Sequence, residues 1–406
     1  MSRYWAASLL LLIAVSSRLW LPTAWTDTEF YPAVPWPGIS IAFASSVAFV
    51  LIPLILIGMT IVFLGGDRPY LRRTGWLLIA ISLALGFLTD QHRLQPWAYQ
   101  SFLYACFFVL LPSRLTPNAF RVLTISIYFY SSLGKFDYQF LHTVGQDFLC
   151  TATSVLPIDL DQWPSQTRLY AAALFPLSEF TLACLLLIPK TRWWGGCLAI
   201  VMHAGLIIIL SPLGMNHSLG VLAWNAVLAG QAYWLFIRPA TLVTMDAPAK
   251  VPPNPSPRPF QIRIWIAVAI ILLAVLLPLT ERRDRHDSAA WHWDHWLSWA
   301  LYSPHNSRVL VEIHHSAIEN LPEAARGSVL PDSNHDSWHE FDFGSLSLSA
   351  RRVPVLPQAR YQLQLATAIA RGQGWTHQVR AVVQSSSHRF DGTRREVWMP
   401  RLGLSP

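Results

Sequence analysis

Long apolar stretches separated by short polar loops fill the first 280 residues, and a tail with a different pattern follows. Nine apolar segments predict membrane helices, near residues 4–22, 39–65, 76–89, 98–112, 118–136, 168–188, 193–212, 218–237 and 262–280. A helical span needs about 20 residues, so the third and fourth segments are short. With the polar stretch "TDQHRLQPW" between them, they are expected either to cross with less tilt or to form a hairpin that dips into the bundle. Residues 239–261, "PATLVTMDAPAKVPPNPSPRPFQ", read as an extended Pro-rich linker between the bundle of residues 1–238 and the ninth helix, 262–280. The tail, 281–406, begins with "AAWHWDHWLSWALYS". There Trp293, Trp296, Leu297 and Ala300 share helical spacing and predict a helix lying in the membrane interface. Beyond it, "RVLVEIHH", "SLSLSARRVPV", "RYQLQLATA", "HQVRAVVQSSS" and "REVWMP" run as short alternating segments and predict a small β-rich domain. The fold class is therefore an all-α polytopic membrane bundle of about nine transmembrane helices with a small β-rich C-terminal domain.

Composition and charge add an orientation. The chain is 53% hydrophobic and only 13% charged, against roughly a quarter charged in soluble domains, and it carries 19 Trp, a residue that anchors at bilayer interfaces. Basic residues fall in every second loop: Arg3, then Arg68, Arg72 and Arg73, then Arg114 and Arg121, then Lys190 and Arg192, then Arg238, Lys250 and Arg258. The positive-inside rule puts those loops and the N-terminus in the cytoplasm, and nine spans put the tail outside. The protein is expected in the cell membrane, with the lipid bilayer as its first partner. The net charge of +7 reads as topology and headgroup contact; no basic block interleaves with aromatics, so no nucleic-acid partner is expected. Cys106, Cys150, Cys184 and Cys197 form no CxxC motif, which removes a thiol-redox or zinc site of that type. No internal repeat is visible, which argues against a transporter.

Ionisable groups inside a bilayer are costly and call for a reason. Lys135, Glu179 and His203 are the candidate catalytic groups. Glu179 and His203 sit near the middle of their segments; Lys135 closes the fifth, on the side that basic residues avoid. Snorkelling to the interface is the alternative for Lys135, and structural hydrogen bonding is the alternative for the other two. The polar residues of the bundle, among them Asp90, Arg93, Gln100, Asn216 and Asn225, cluster in its outer half, so a polar cavity open to the outside and closed at mid-membrane is expected. With Trp97, Asp137 and Trp224, these residues are the candidate cofactor contacts. "WHWDHW" and "EIHH" offer His292, Asp294, His295, Glu312, His314 and His315, but no metal-ligand spacing of a known type appears, and no metal is expected.

Four ordered pieces carry a family resemblance: "DQHRLQPWAYQSFLY", "YFYSSLGKFDYQFL", "SEFTLACLLL" and "VMHAGLIIILSPLGMNHSLGVLAWN". Over about residues 1–240 they resemble the HTTM superfamily, the transmembrane part of vitamin K-dependent γ-carboxylase and its bacterial relatives, which shades into MauE/DoxX-type membrane proteins. The resemblance places Lys135 on a proposed carboxylase base and Asp137 on the acidic residue after it, while Gln100 stands where the family has a histidine tied to catalysis. It implies a membrane enzyme acting on a lipid-soluble quinone or quinol, with Lys135, Glu179 and His203 as its polar floor. The alternative it implies is a non-catalytic DoxX/MauE-like subunit that supports a redox or protein-maturation complex and docks a protein partner on residues 281–406.

Overall fold

The computed structural model describes residues 1–26, 30–154, 159–238, 257–281, 294–332, 334–400 and 402. Most of the linker, 239–256, and the start of the tail, 282–293 with His292 and Trp293, lie outside them. Helices form in all nine apolar segments: α1 (Ser2–Val15), α2 (Ile41–Leu64), α3 (Pro69–Thr89), α4 (Pro96–Leu110), α5 (Thr116–Lys135), then, after the short α6 (Tyr138–His142) and α7 (Val144–Thr153), α8 (Ser165–Leu187), α9 (Arg192–Leu210), α10 (Leu219–Ala232) and α11 (Pro257–Leu276). Proline in the first turn starts α3, α4 and α5, where its missing N–H costs no helical bond. Ser40 caps α2 by accepting from Phe43 N–H at 3.2 Å.

Among the described residues six helices are long and apolar enough to cross a membrane: α2, α3, α8, α9, α10 with its π-helical continuation to Ile237, and α11. The short α1 and α4, with 14 and 15 residues, reach only about 21–23 Å at 1.5 Å per residue, less than the ~30 Å hydrocarbon core. In α5, Thr124, Tyr128, Ser131 and Lys135 lie buried, so its polarity faces the protein. Close approach of α2 and α3 requires Gly58 and Gly75, where a Cβ on either would run into the carbonyl oxygen of the other.

The C-terminal domain contains a four-stranded antiparallel sheet in the order β2-β1-β3-β4, from β1 (Arg308–His314), β2 (Trp338–Glu340), β3 (Val379–Gln384) and β4 (Glu396–Met399). In β1, Val309, Val311 and Ile313 point into the core, as alternation predicts. Two segments expected as strands are helices instead: "SLSLSARRVPV" supplies much of α12 (Phe343–Arg351) and "RYQLQLATA" much of α13 (Ala359–Gly372). The reason is periodicity. Tyr361, Leu365, Ala366, Ile369 and Ala370 are buried at helical spacing, whereas in "SLSLS" Leu346 is buried and Leu348 is exposed.

Of the expected interfacial helix, residues 289–293 lie outside the described residues, and the described part, from Asp294 on, is not helical. Residues 295–299 form turns, and Leu297, Trp299 and Ala300 are buried. Trp299 and Tyr302 both take left-handed backbone angles, at φ 58° and 57°, which break any helix there.

Bundle and domain interlock. Tyr31 and Val34, from the loop before α2, lie in the hydrophobic core of the domain, while Leu297, Trp299 and Val353 lie in that of the bundle. The polar hairpin Asp90–Arg93 is the dock between them. Arg351 donates to Tyr31 O at 2.9 Å and sits 3.9 Å from Asp90; Gln91 donates to Gln364 at 2.7 Å; His92 Nε2 donates to Pro354 O at 2.9 Å. Burial pushes the pKa of His92, between the rings of Tyr31 and Tyr361, down to about 4.

Candidate functional site

Helix α5 presents Tyr128, Ser131 and Lys135 on one face, at the i, i+3, i+7 spacing of a 3.6-residue turn. Lys135 is 2% exposed. Its Nζ donates to both carboxylate oxygens of Glu179 on α8, at 2.7 and 2.6 Å, and to Ser131 Oγ at 2.7 Å. The snorkelling alternative for Lys135 therefore does not hold: the side chain turns inward to a carboxylate, which offsets the cost of burying an ammonium.

His203 of α9 lies beside Tyr128, two turns back along α5 from Lys135. Asn225 of α10 donates through Nδ2 to Val221 O at 2.9 Å, which turns its Oδ1 toward His203 Nδ1 at 2.8 Å. That nitrogen is then the protonated one, and Nε2 accepts the hydroxyl proton of Tyr128 at 2.8 Å. The ring is held in one neutral tautomer by a partner on each side.

Both groups line a single cavity of about 270 Å³, together with Trp97, Trp224 and the apolar side chains of Ile127, Met202 and Leu206. The three candidate catalytic residues thus converge. The cavity lies in the half of the bundle facing the C-terminal domain, and residues of the C-terminal region form a lid over part of its expected mouth. Residues 295–296, 300–304, 353–354 and 357 complete the lining. Trp299 stacks on Tyr99 with ring centroids 5.1 Å apart, and Ser303 Oγ donates to Gly134 O at 2.7 Å, beside Lys135. The lid is tied down by charge: His295 meets Glu281 at 3.0 Å through Nδ1 and Ser303 O at 2.9 Å through Nε2, and Arg389 reaches Glu281 at 3.2 Å. Near this clamp burial, reinforced by Arg389, pushes the pKa of His305 down to about 3. Burial also pushes the Asp137 carboxyl above its ordinary range, opposed by its bond from Phe140 N–H and by Arg389.

Of the candidate cofactor contacts, Trp97, Trp224 and Asn225 line the cavity. The others lie elsewhere. Asp90 belongs to the dock described above, and Arg93 supports it by donating to Leu19 O and Thr89 Oγ1 at 3.1 and 3.2 Å. Asp137 caps α6 and faces Ser303 Oγ at 3.3 Å. Asn216 is an exposed turn residue at φ 49°. Gln100 sits in a separate buried network with Tyr104 and Gln231, and joins the cavity wall only by accepting from Trp224 Nε1 at 2.9 Å. Asp294 and His295, noted as weak metal candidates, are taken by Arg360 and Glu281.

Tyr128 and Ser131 were missed by the sequence reading, although their spacing from Lys135 is a legible signal. Tyr302 and Ser303, in the lid, carry none: nothing local in the sequence brings residue 303 to residue 134.

Residues 113–217 match the family model of methylamine utilisation protein MauE. The matched stretch runs from the start of α5 to the loop after α9, and so holds Lys135, Glu179 and His203. The match is to MauE, a DoxX/MauE-like membrane family, and not to the HTTM superfamily that the ordered motifs resemble. No curated protein and no solved structure matches the chain.

Proposed function

We propose that the protein is a non-catalytic, MauE-like membrane subunit that supports a redox or protein-maturation complex. The MauE match carries this reading, because it takes in the helices that build the cavity floor. The geometry of Lys135 favours it over base chemistry. All three donor positions of its Nζ are occupied, by Glu179 and Ser131, so none is left to face a substrate. In this reading the bundle spans the membrane with the N-terminus in the cytoplasm and the C-terminal domain outside, where it meets its protein partner. Edge strand β4 is the surface we assign to that partner: Val397 and Trp398 are 61% and 51% exposed, and among the described residues one edge of the strand is unpaired. A photo-reactive phenylalanine analogue at position 398 tests this in native membranes. A discrete adduct to one redox or disulfide-bearing protein, absent with the analogue at Leu348, is expected. Equal labelling from both positions would remove the assignment.

A second reading is favoured by this cavity, with hydrogen-bonding groups set in apolar walls: a quinone or quinol head group occupies it, either as a bound cofactor or as the substrate of a quinol-linked membrane enzyme. Quinone retained by the purified wild type and lost from the His203→Ala, Glu179→Gln double variant supports it. Equal quinone content in the two proteins counts against it.

A further inference from the structure

At the end of the bundle farthest from the C-terminal domain, a second cavity of about 450 Å³ opens between the starts of α1 and α3, the α4–α5 turn and the end of α10. Arg72, Arg73, Arg114, Arg121 and Arg238 line it, and its lining holds no Asp or Glu. Among the described residues none of the five makes an ion pair. Arg121 is held by Leu235 O and Asn118 Oδ1, each at 3.0 Å, and Arg238 lies over the Trp234 ring at 4.2 Å. In the C-terminal domain Arg351, Arg360, Arg380 and Arg389 each face a carboxylate, while Arg308, Arg326 and Arg394 bond to neutral oxygens. A basic residue in a cytoplasmic loop satisfies topology from any exposed position. Five guanidiniums turned into one hollow repel one another unless an anion sits among them.

The floor of this cavity is apolar: Trp76 stacks on Phe108 with centroids 4.6 Å apart, beside Leu111 and Leu235. A guanidinium rim over an apolar floor, between helices that enter the membrane, fits a phosphate with a hydrocarbon chain attached. We propose that this cavity binds the phosphate head of an anionic phospholipid from the membrane leaflet opposite the C-terminal domain.

The test uses the full-length chain in detergent and measures retained lipid by native mass spectrometry. The probes are phosphatidylglycerol, phosphatidylcholine and inorganic pyrophosphate. Phosphatidylglycerol should bind at least tenfold tighter than phosphatidylcholine. The Arg72→Gln, Arg238→Gln variant should lose at least tenfold of that affinity, and the matching Lys variant, which keeps charge without the planar fork, should lose less. Arg114→Gln, in an exposed turn, should weaken binding about threefold, and gives a readout if the double variant does not fold. Equal affinity for the two lipids, or an unchanged affinity in the Gln variants, overturns the proposal. Pyrophosphate binding more tightly than phosphatidylglycerol overturns the lipid as occupant and makes this a site for a free anion.

Discussion

Replacing Glu179 by Gln tests whether the Lys135–Glu179 pair is a coupled unit. Lys135 Nζ is buried and keeps only Ser131 Oγ and one amide oxygen after the change, so an ammonium loses its counter-charge inside the bundle. Removing one partner of a buried pair costs roughly 3–5 kcal/mol. Lys135→Met should cost a similar amount, because it strands the carboxylate. The double variant removes both charges and leaves two side chains of similar size, so it should lie within about 1–2 kcal/mol of the wild type. The predicted coupling is thus on the order of 3 kcal/mol or more, far above the few tenths expected of independent sites. Thermal or denaturant unfolding of the four proteins in one detergent, followed by tryptophan fluorescence, gives the cycle. Losses that simply add in the double variant would refute the reasoning, as would a Glu179→Gln cost below 1 kcal/mol.

Other predictions concern the tautomer lock, the lid and the dock. Asn225→Ala leaves His203 Nδ1 without its acceptor and should cost about 1–3 kcal/mol, whereas Tyr128→Phe should cost about 1 kcal/mol; the two variants can be ranked by melting temperature. In wild-type lid background, a cysteine at Ser131 should resist a membrane-impermeant thiol reagent. Trp299→Ala, which removes a fully buried ring at about 3–5 kcal/mol, should expose it, and equal labelling with and without that change would count against the lid. Stability should fall as pH drops from 6.5 to 4. With a folded pKa near 4, His92 takes up its proton in the unfolded chain first, so its contribution is complete above pH 6.5 and is lost on acidification, by roughly 3 kcal/mol. His92→Gln should flatten part of that slope, and His305 adds to it in the same direction.

The bundle was legible because long apolar runs have few alternatives, and Lys135, Glu179 and His203 stood out because charge and imidazole are rare there. Two things were hidden. Alternation in "SLSLS" mimics a strand, and only the position of the Arg351 dock and the burial of Phe343, Leu346 and Ser347 reveal a helix. "DQHR" looked like the rim of a ligand site because its polar residues sit between apolar segments. They are buried by a domain more than 250 residues away, and no local pattern encodes that contact. Similarly, Asp137 drew notice as an acid beside Lys135, yet it caps the next helix.

The covering of the cavity by residues 295–304 bears on the order of biosynthesis. Lys135, Glu179 and His203 exist on a completed polypeptide surface long before the ribosome reaches Trp299, and through that interval the hollow has no roof. The turn that anchors the roof comes later still, since Arg389 must be made before it can grip Glu281. Through that window Lys135 and Glu179 have only each other and Ser131 to offset the burial of charge, so their pairing has to hold before the C-terminal wall is in place.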